Sequence, residues 1–108
     1  MEIKQEKRDD ALVMSVIGRL DATTATELEG ELIPVIQKDR TKIILDFTGL
    51  EYISSAGLRV LLLAMKTTKK VAGELIICNM EDHIKEIFDI AGFLPIFKIT
   101  GTVEEALA

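Results

Sequence analysis

Runs of isoleucine, leucine and valine alternate along this chain with segments of helical periodicity, and this alternation constrains the fold more than any other feature. Apolar runs typical of buried strands cover residues 12–17, 42–47 and 74–79, with weaker strand patterns at 2–8 and 96–100. Strands connected through helices run parallel to one another in a shared sheet. The order ββαβαβαβα therefore predicts an α/β fold in which helices cover a mostly parallel sheet.

The first helix is expected to begin near Thr24, because Glu27 follows three residues later in the spacing of a capping box. Asp21 is a second candidate for the N-cap, since aspartate is favoured at that position. The apolar residues of this helix fall on one stripe and are Leu28, Leu32, Val35 and Ile36.

The second helix, predicted over residues 56–71, is apolar on two sides. The side expected to face the core carries Leu58, Leu61, Leu62 and Met65. Off that stripe lie Val60, Leu63 and Ala64, mixed with the basic residues Arg59, Lys66 and Lys70. An exposed apolar strip edged with basic residues is typical of a surface that binds a partner. The alternative is that the helix is buried on two sides, and the periodicity does not decide between them.

Two serines, Ser54 and Ser55, immediately precede this helix. A serine there can act as the N-cap, its side-chain oxygen accepting from N–H groups of the first turn, and residue chemistry alone favours this interpretation. The same position would also display a hydroxyl at the positive end of the helix, where an added phosphate meets N–H donors and a favourable dipole. The sequence is compatible with both roles.

The composition limits the class of partner. With 108 residues the chain fits one domain, residues 1–108. A formal net charge of −5 argues against nucleic acid, since binding a phosphate backbone requires a basic surface. No apolar run approaches a membrane span, and no signal segment is recognised, so we expect a cytoplasmic protein without membrane contact. The lone Cys78, set in an apolar run, is interpreted as a core thiol in a reducing compartment.

The residues needed for catalysis are scarce. His83 is the single histidine and lies in a polar segment, where we interpret it as a solvated surface residue. One histidine and one cysteine provide no metal cluster, and a catalytic triad would require His83 to approach a serine from another helix. Gly49 and Gly57 lack the neighbours of a phosphate-binding loop. We therefore expect no enzymatic activity, no metal and no cofactor.

Three ordered motifs carry a resemblance that covers nearly the whole chain. They lie at residues 18–21 (Gly-Arg-Leu-Asp), 46–58 (from Asp-Phe-Thr-Gly-Leu to Ser-Ser-Ala-Gly-Leu) and 88–93 (Phe-Asp-Ile-Ala-Gly-Phe). Together they resemble the STAS family of bacterial anti-sigma-factor antagonists. The resemblance implies a protein that binds a serine kinase, itself the anti-sigma factor, while unphosphorylated. Phosphorylation by that kinase would release it, and a PP2C-type phosphatase would reset it.

The resemblance also implies site residues. The family's phosphorylated serine lies two residues before the motif glycine, which corresponds to Ser55. The preceding family aspartate corresponds to Ser54, and an acidic residue of the first motif corresponds to Arg19, so two expected negative charges are missing here. Asp21 matches the family pattern. The surface expected to bind the partner comprises Arg19, Asp21, Ser54, Ala56, Gly57, Arg59, Val60 and Leu63.

Other functions remain compatible with the sequence. One is a STAS subunit that is not phosphorylated and acts as a scaffold in a transporter or signalling complex. The other is a module that binds a small molecule or nucleotide at the C-terminal edge of the sheet, near Asp21, Asp46 and Ser55. We expect the protein to be a monomer or a weak dimer.

Overall fold

A sheet of six strands lies at the centre of the computed structural model, which describes residues 1–39 and 42–108. The strands in chain order are β1 (Glu2–Arg8), β2 (Ala11–Leu20), β3 (Lys42–Asp46), β4 (Leu50–Ile53), β5 (Glu74–Cys78) and β6 (Lys98–Thr100). The helices are α1 (Ala25–Asp39), α2 (Ser55–Lys70), α3 (Asp82–Ile90) and α4 (Val103–Leu107), with a 3₁₀ turn at Leu94–Ile96. β1 is antiparallel to β2, and the parallel pairings continue in the order β2-β3-β5-β6, with β4 beside the end of β2. The predicted α/β fold is therefore confirmed.

Each face of the sheet buries its own set of side chains, because successive residues of a strand point to opposite faces. On one face, Met14, Leu45 and Ile77 pack with the buried residues of α1, α2 and α3. On the other face, Ile44 and Ile76 pack with the buried residues of α4. Burial on both faces explains why the central strands are continuously apolar rather than alternating.

The buried Cys78 belongs to the smaller cluster under α4, as expected for a core thiol. Burial, together with the nearby carboxylates of Asp46 and Glu104, raises the pKa of this thiol to about 12. The thiol therefore stays protonated and unreactive at neutral pH. Within the described part of the chain, no helix has the length and apolarity needed to cross a membrane.

Two predictions about the strands are wrong: β4 was not predicted, and β2 is longer than predicted. The strand predicted over residues 12–17 does not end before Gly18 but continues through it to Leu20. Gly18 instead adopts a positive φ of 102°, and the pairing of β2 with β4 shifts register just after it. This conformation suits a residue without Cβ, so the glycine marks an irregularity in the strand and not its end. The residue predicted to begin the last strand, Ile96, lies in the 3₁₀ turn.

The capping box predicted for α1 is wrong. The hydroxyl of Thr24 accepts from the N–H of Asp21 at 2.9 Å and donates to the carbonyl of Arg19 at 2.8 Å. The N–H of Glu27 donates to the backbone carbonyl of Thr24 at 3.0 Å. The side chain of Thr24 therefore stabilises the loop before α1, and its backbone carbonyl, not its hydroxyl, accepts from the first turn of the helix.

Helix α2 is buried on two sides, which settles the alternative that periodicity left open. Val60 and Ala64, predicted to lie on an exposed strip, are buried, with 6% and 0% of their surface exposed. Both side chains belong to the main core cluster, and α1 packs against α2. Leu63 remains 40% exposed. The exposed apolar strip is thus narrower than predicted.

Candidate protein-interaction site at the start of helix α2

Ser54 is the N-cap of α2. Its backbone is extended, with φ −97° and ψ 174°, and its Oγ accepts from the N–H of Gly57 at 3.3 Å. Its carbonyl accepts from the N–H of Leu58 at 3.0 Å. One of the two adjacent serines therefore satisfies the helix start, which leaves the other free of that role.

Ser55 is the first residue of α2, and its side chain is exposed to solvent. Within the described residues, its hydroxyl has no hydrogen-bond partner, and the N–H groups of Ser55 and Ala56 have no acceptor. These N–H groups belong to the turn where a helix cannot satisfy its own donors. The first turn of α2 also contains no acidic residue. The helix start thus offers a free hydroxyl, free donors and an uncompensated dipole.

Packing against two strands fixes this turn in place. A Cβ atom added to the buried Gly57 would lie 2.7 Å from Cγ of Leu20 and 2.9 Å from Cγ1 of Ile53. The N–H of Ser54 donates to the carbonyl of Leu20 at 2.9 Å. Gly57, predicted to contact a partner, lies inside the protein instead, where it allows α2 to approach the ends of β2 and β4.

Arg19 and Asp21 flank this turn at the end of β2. Arg19 lies opposite Tyr52 of β4 in the parallel ladder, and its Cζ is 4.4 Å from the centre of the tyrosine ring. Its Nε is 4.0 Å from Oδ2 of Asp21, and 62% of the arginine side chain remains exposed. A cation over an aromatic ring at an exposed site contributes about 0.5–1 kcal/mol. Arg19 is therefore held over Tyr52 with its positive charge open to solvent.

Asp21 organises the loop that leads into α1. The hydroxyl of Thr23 donates to Oδ1 of Asp21 at 2.6 Å, and the N–H groups of Thr23 and Thr24 donate to the same oxygen at 3.0 and 3.2 Å. These hydrogen bonds, that of the Thr23 hydroxyl foremost, lower the pKa of Asp21 to about 2. The carboxylate is thus charged at neutral pH.

A groove of about 430 Å³ separates the start of α1 from the exposed side of α2. The α1 side contributes small residues and Glu29. The α2 side contributes Ala56, Arg59, Val60, Leu62, Leu63 and Lys66. The groove is therefore mainly apolar, with two basic side chains on its α2 wall.

Four of the eight predicted contact residues lie on the α2 wall of this groove. Ala56, Arg59 and Leu63 line the groove, and Val60 forms part of its wall although only 6% of it is exposed. Lys66 also lines the groove; the sequence placed it among the basic residues that edge the apolar strip, but it was not one of the eight residues expected to bind the partner. Its position seven residues after Arg59 was the available signal, because that spacing places both on one helix face.

At the C-terminal edge of the sheet, the carboxylate of Asp46 is engaged in hydrogen bonds within the protein. Oδ1 of Asp46 accepts from the N–H and the hydroxyl of Thr48, at 3.1 and 2.6 Å, and from the side-chain amide of Asn79 at 3.0 Å. This carboxylate therefore holds two loops together. His83 is exposed as expected, and its Nε2 lies 2.8 Å from the carbonyl oxygen of Glu51. Among residues 1–39 and 42–108, no group of metal-ligating side chains is gathered.

The chain is similar to known proteins over nearly its whole length. The model of the STAS domain family matches residues 2–106. Over 108 residues, the chain is 40% identical to BtrV of Bordetella bronchiseptica, provisionally named an anti-sigma factor antagonist, and the match covers 100% of this chain and 93% of that protein.

Solved structures share the fold of this chain. A Thermotoga maritima protein, provisionally named an anti-sigma factor antagonist, has a TM-score of 0.90 at 19% identity, covering 97% of this chain and 91% of that one. The phosphorylated form of the Bacillus cell fate determinant SpoIIAA has a TM-score of 0.75 at 26% identity, covering 98% and 96% of the two chains. SpoIIAA is named an anti-sigma factor antagonist, and its structure has also been solved unphosphorylated.

Proposed function

The chain belongs to the STAS domain family, and we propose that it is an anti-sigma factor antagonist controlled by phosphorylation of Ser55. In this proposal the unphosphorylated protein binds a serine-protein kinase that is also the anti-sigma factor. Phosphorylation by that kinase releases the antagonist, and a PP2C-type phosphatase removes the phosphate. The likeness to SpoIIAA, solved with and without phosphate, supports a role for phosphorylation.

The main support for the proposal is that the two adjacent serines have different roles. Ser54 caps α2, whereas the exposed hydroxyl of Ser55 has no partner among the described residues. A kinase can therefore reach Ser55 without uncapping the helix. If Ser55 were the cap, modification would have to compete with the stability of the helix start.

Electrostatics is strong enough to operate the switch without refolding. A phosphate adds about −1.5 to −2 charges to a surface that must dock closely. Two unit charges about 4 Å apart interact by roughly 4 kcal/mol at an effective dielectric constant near 20. A change of about 5.5 kcal/mol moves a two-state population from 1:99 to 99:1. A phosphate facing acidic groups of the partner would supply an effect of this size.

The proposed docking surface is the groove between α1 and α2 together with Arg19 and Asp21 at the end of β2. Its α2 wall is apolar and carries Arg59 and Lys66, which suits a partner segment with acidic residues beside an apolar strip. Arg19, in place of an acidic family residue, is held above Tyr52 and adds a third positive charge. We propose that this chain recognises a more acidic partner than relatives with the acidic motif do.

The remaining expectations accompany this proposal. An antagonist acts by binding, so we propose that the chain itself has no catalytic activity and needs no cofactor or metal. We propose that it works in the cytoplasm as a monomer or a weak dimer. Its net charge of −5 is unfavourable for nucleic acid, which fits regulation through a protein partner.

The experiment is to capture partners from the source cell lysate with the chain as bait, with and without ATP. We expect a serine kinase to bind without ATP and to be released when ATP is added. The Ser55→Ala variant should keep the kinase bound in ATP, and Ser55→Asp should weaken binding by at least about tenfold, or about 1.4 kcal/mol.

The matched control is Gln37→Glu, which adds one negative charge on an exposed part of α1 outside the groove lining. It should bind like the wild type. If Ser55→Ala is released by ATP as readily as the wild type, Ser55 is not the switch. Capture of a transporter complex that is indifferent to ATP would instead support the scaffold alternative.

A further inference from the structure

Three side chains of α2 form a line along its exposed side. Arg59 and Lys66 follow Ser55 by four and eleven residues, which places both within about 40° of it at 100° per residue. Ser55, Arg59 and Lys66 are exposed, and the two basic residues also line the groove. The proposed phosphorylation site therefore shares a helix face with the basic wall of the docking groove.

The direction of helical side chains favours contact between Arg59 and the group on Ser55. Residues four apart have Cβ atoms about 5–6 Å from each other. Helical side chains also lean towards the N-terminus, so the long Arg59 side chain extends back over the turn that contains Ser55. An acidic group N-terminal to a basic one at this spacing is the favourable order.

The Arg59 guanidinium is not committed elsewhere. Within the described part of the chain, no carboxylate lies within 4.0 Å of it. Glu29 is the acidic residue of the same groove lining, and it forms no ion pair with Arg59. A phosphate on Ser55 carries up to two charges and three acceptor oxygens, so it would outcompete a single carboxylate.

We infer that Arg59 is the intramolecular counterion of phosphorylated Ser55, so that phosphorylation draws this guanidinium away from the groove. The inference rests on the proposed function in taking Ser55 as the modified residue. The switch then has two parts: the phosphate adds negative charge beside the groove, and the groove loses one of its two basic side chains. Arg59 acts as a partner contact in one state and as a phosphate clamp in the other.

The test is a phosphorus NMR titration of the full chain with phosphoserine incorporated at position 55 during synthesis. The titration follows the second pKa of the phosphate at about 0.15 M ionic strength, where the Debye length is about 8 Å. Removing a counterion at this spacing should raise that pKa by roughly 0.2–0.4 in Arg59→Gln. Arg59→Lys keeps the charge and should restore most of the wild-type value.

Two variants with the same change of charge serve as controls. Lys66→Gln alters the same groove wall about 16 Å from Ser55 along the helix axis, which is about two Debye lengths at this ionic strength. Arg19→Gln removes the other basic residue near the turn. Lys66→Gln should leave the phosphate pKa within about 0.1 of the wild type at this distance. Arg19→Gln should shift it less than Arg59→Gln does, because the Arg19 guanidinium is held over Tyr52 and beside Asp21.

Equal titration curves for Arg59→Gln and the wild type would overturn the inference, as would a larger shift in Arg19→Gln. This outcome is separate from the fate of the proposed function, because the phosphate is installed without any kinase. If the cellular kinase modified a different residue, the proposed function would fail while the titration result stood.

Discussion

The starts of helices α2 and α4 are built alike but charged differently. Ser54 accepts from the N–H of Gly57 at 3.3 Å, and Thr102 accepts from the N–H of Glu105 at 3.0 Å. The first turn of α4 contains Glu104 and Glu105, whereas the first turn of α2 contains no acidic residue. At α4 the helix dipole is met by fixed charge. At α2 no fixed charge offsets the helix dipole, so a negative charge added to Ser55 would interact with it favourably.

A hydroxyl before a helix is therefore not in itself a sign of regulation. What distinguishes α2 is the second serine, Ser55, which is exposed at a helix start that packing holds rigid and fixed charge leaves open. The contrast between the two helix starts thus has three parts that can be tested separately: packing, capping and charge.

The largest expected effect concerns packing. Replacing Gly57 by alanine forces a methyl group against Leu20 and Ile53, at 2.7 and 2.9 Å from their nearest atoms. Overpacking of this kind typically lowers the free energy of unfolding by about 1–3 kcal/mol. Urea denaturation measures the change.

The matched control is Gly30→Ala in α1, where an added Cβ meets no atom within 4 Å. Because alanine is a better helix former than glycine, this variant should gain about 0.5–1 kcal/mol. If both glycine variants change stability in the same direction, the start of α2 is not fixed by packing against the strands.

A smaller effect separates the two serines. Ser54→Ala removes the cap and should cost about 1 kcal/mol, and Thr102→Ala should cost a similar amount at α4. Ser55→Ala removes an exposed hydroxyl and should stay within about 0.5 kcal/mol of the wild type. Thermal or urea unfolding of the three variants would decide. A cost for Ser55→Ala equal to that of Ser54→Ala would show that the roles are not divided as described.

The smallest effect is the pH dependence of the loop before α1, which is organised by a carboxylate instead of a hydroxyl. The pKa of Asp21 is lowered from 3.8 to about 2 on folding, so its contribution to stability is present above pH 3.8 and is lost as the pH falls towards 2. The stability difference between the wild type and Asp21→Asn should therefore shrink over that interval. Urea unfolding at a series of pH values measures it.

Ser54→Ala provides the contrast, because a hydroxyl cap does not titrate and its cost should stay constant over the same interval. A constant difference for Asp21→Asn would mean that the hydrogen bonds from Thr23 and Thr24 do not favour the charged carboxylate.

The sheet was predictable because its central strands are continuously apolar, as burial on both faces requires. β4 was missed because it is four residues long and buries only its ends, Leu50 and Ile53, while Glu51 and Tyr52 are exposed. That pattern lacks the alternation of a half-buried strand. The irregularity at Gly18 was mistaken for a strand end, because glycine serves in both situations.

The candidate site could be predicted only in part. The sequence located the helix start and its two serines, and the family resemblance singled out Ser55. Which serine caps the helix depends on which oxygen reaches the N–H of Gly57. The burial of Val60 and Ala64 depends on α1 lying alongside α2, which no periodicity within α2 can show. Packing between helices that are distant in sequence therefore determines which of the residues predicted to be exposed actually lie on the surface.

The most direct measurement of the central claim is mass spectrometric mapping of the phosphate after incubating the chain with its captured kinase and ATP. We expect a single phosphate on Ser55, with Ser54 and every threonine unmodified. A phosphate on Ser54, or on a threonine with Ser55 unmodified, would contradict it.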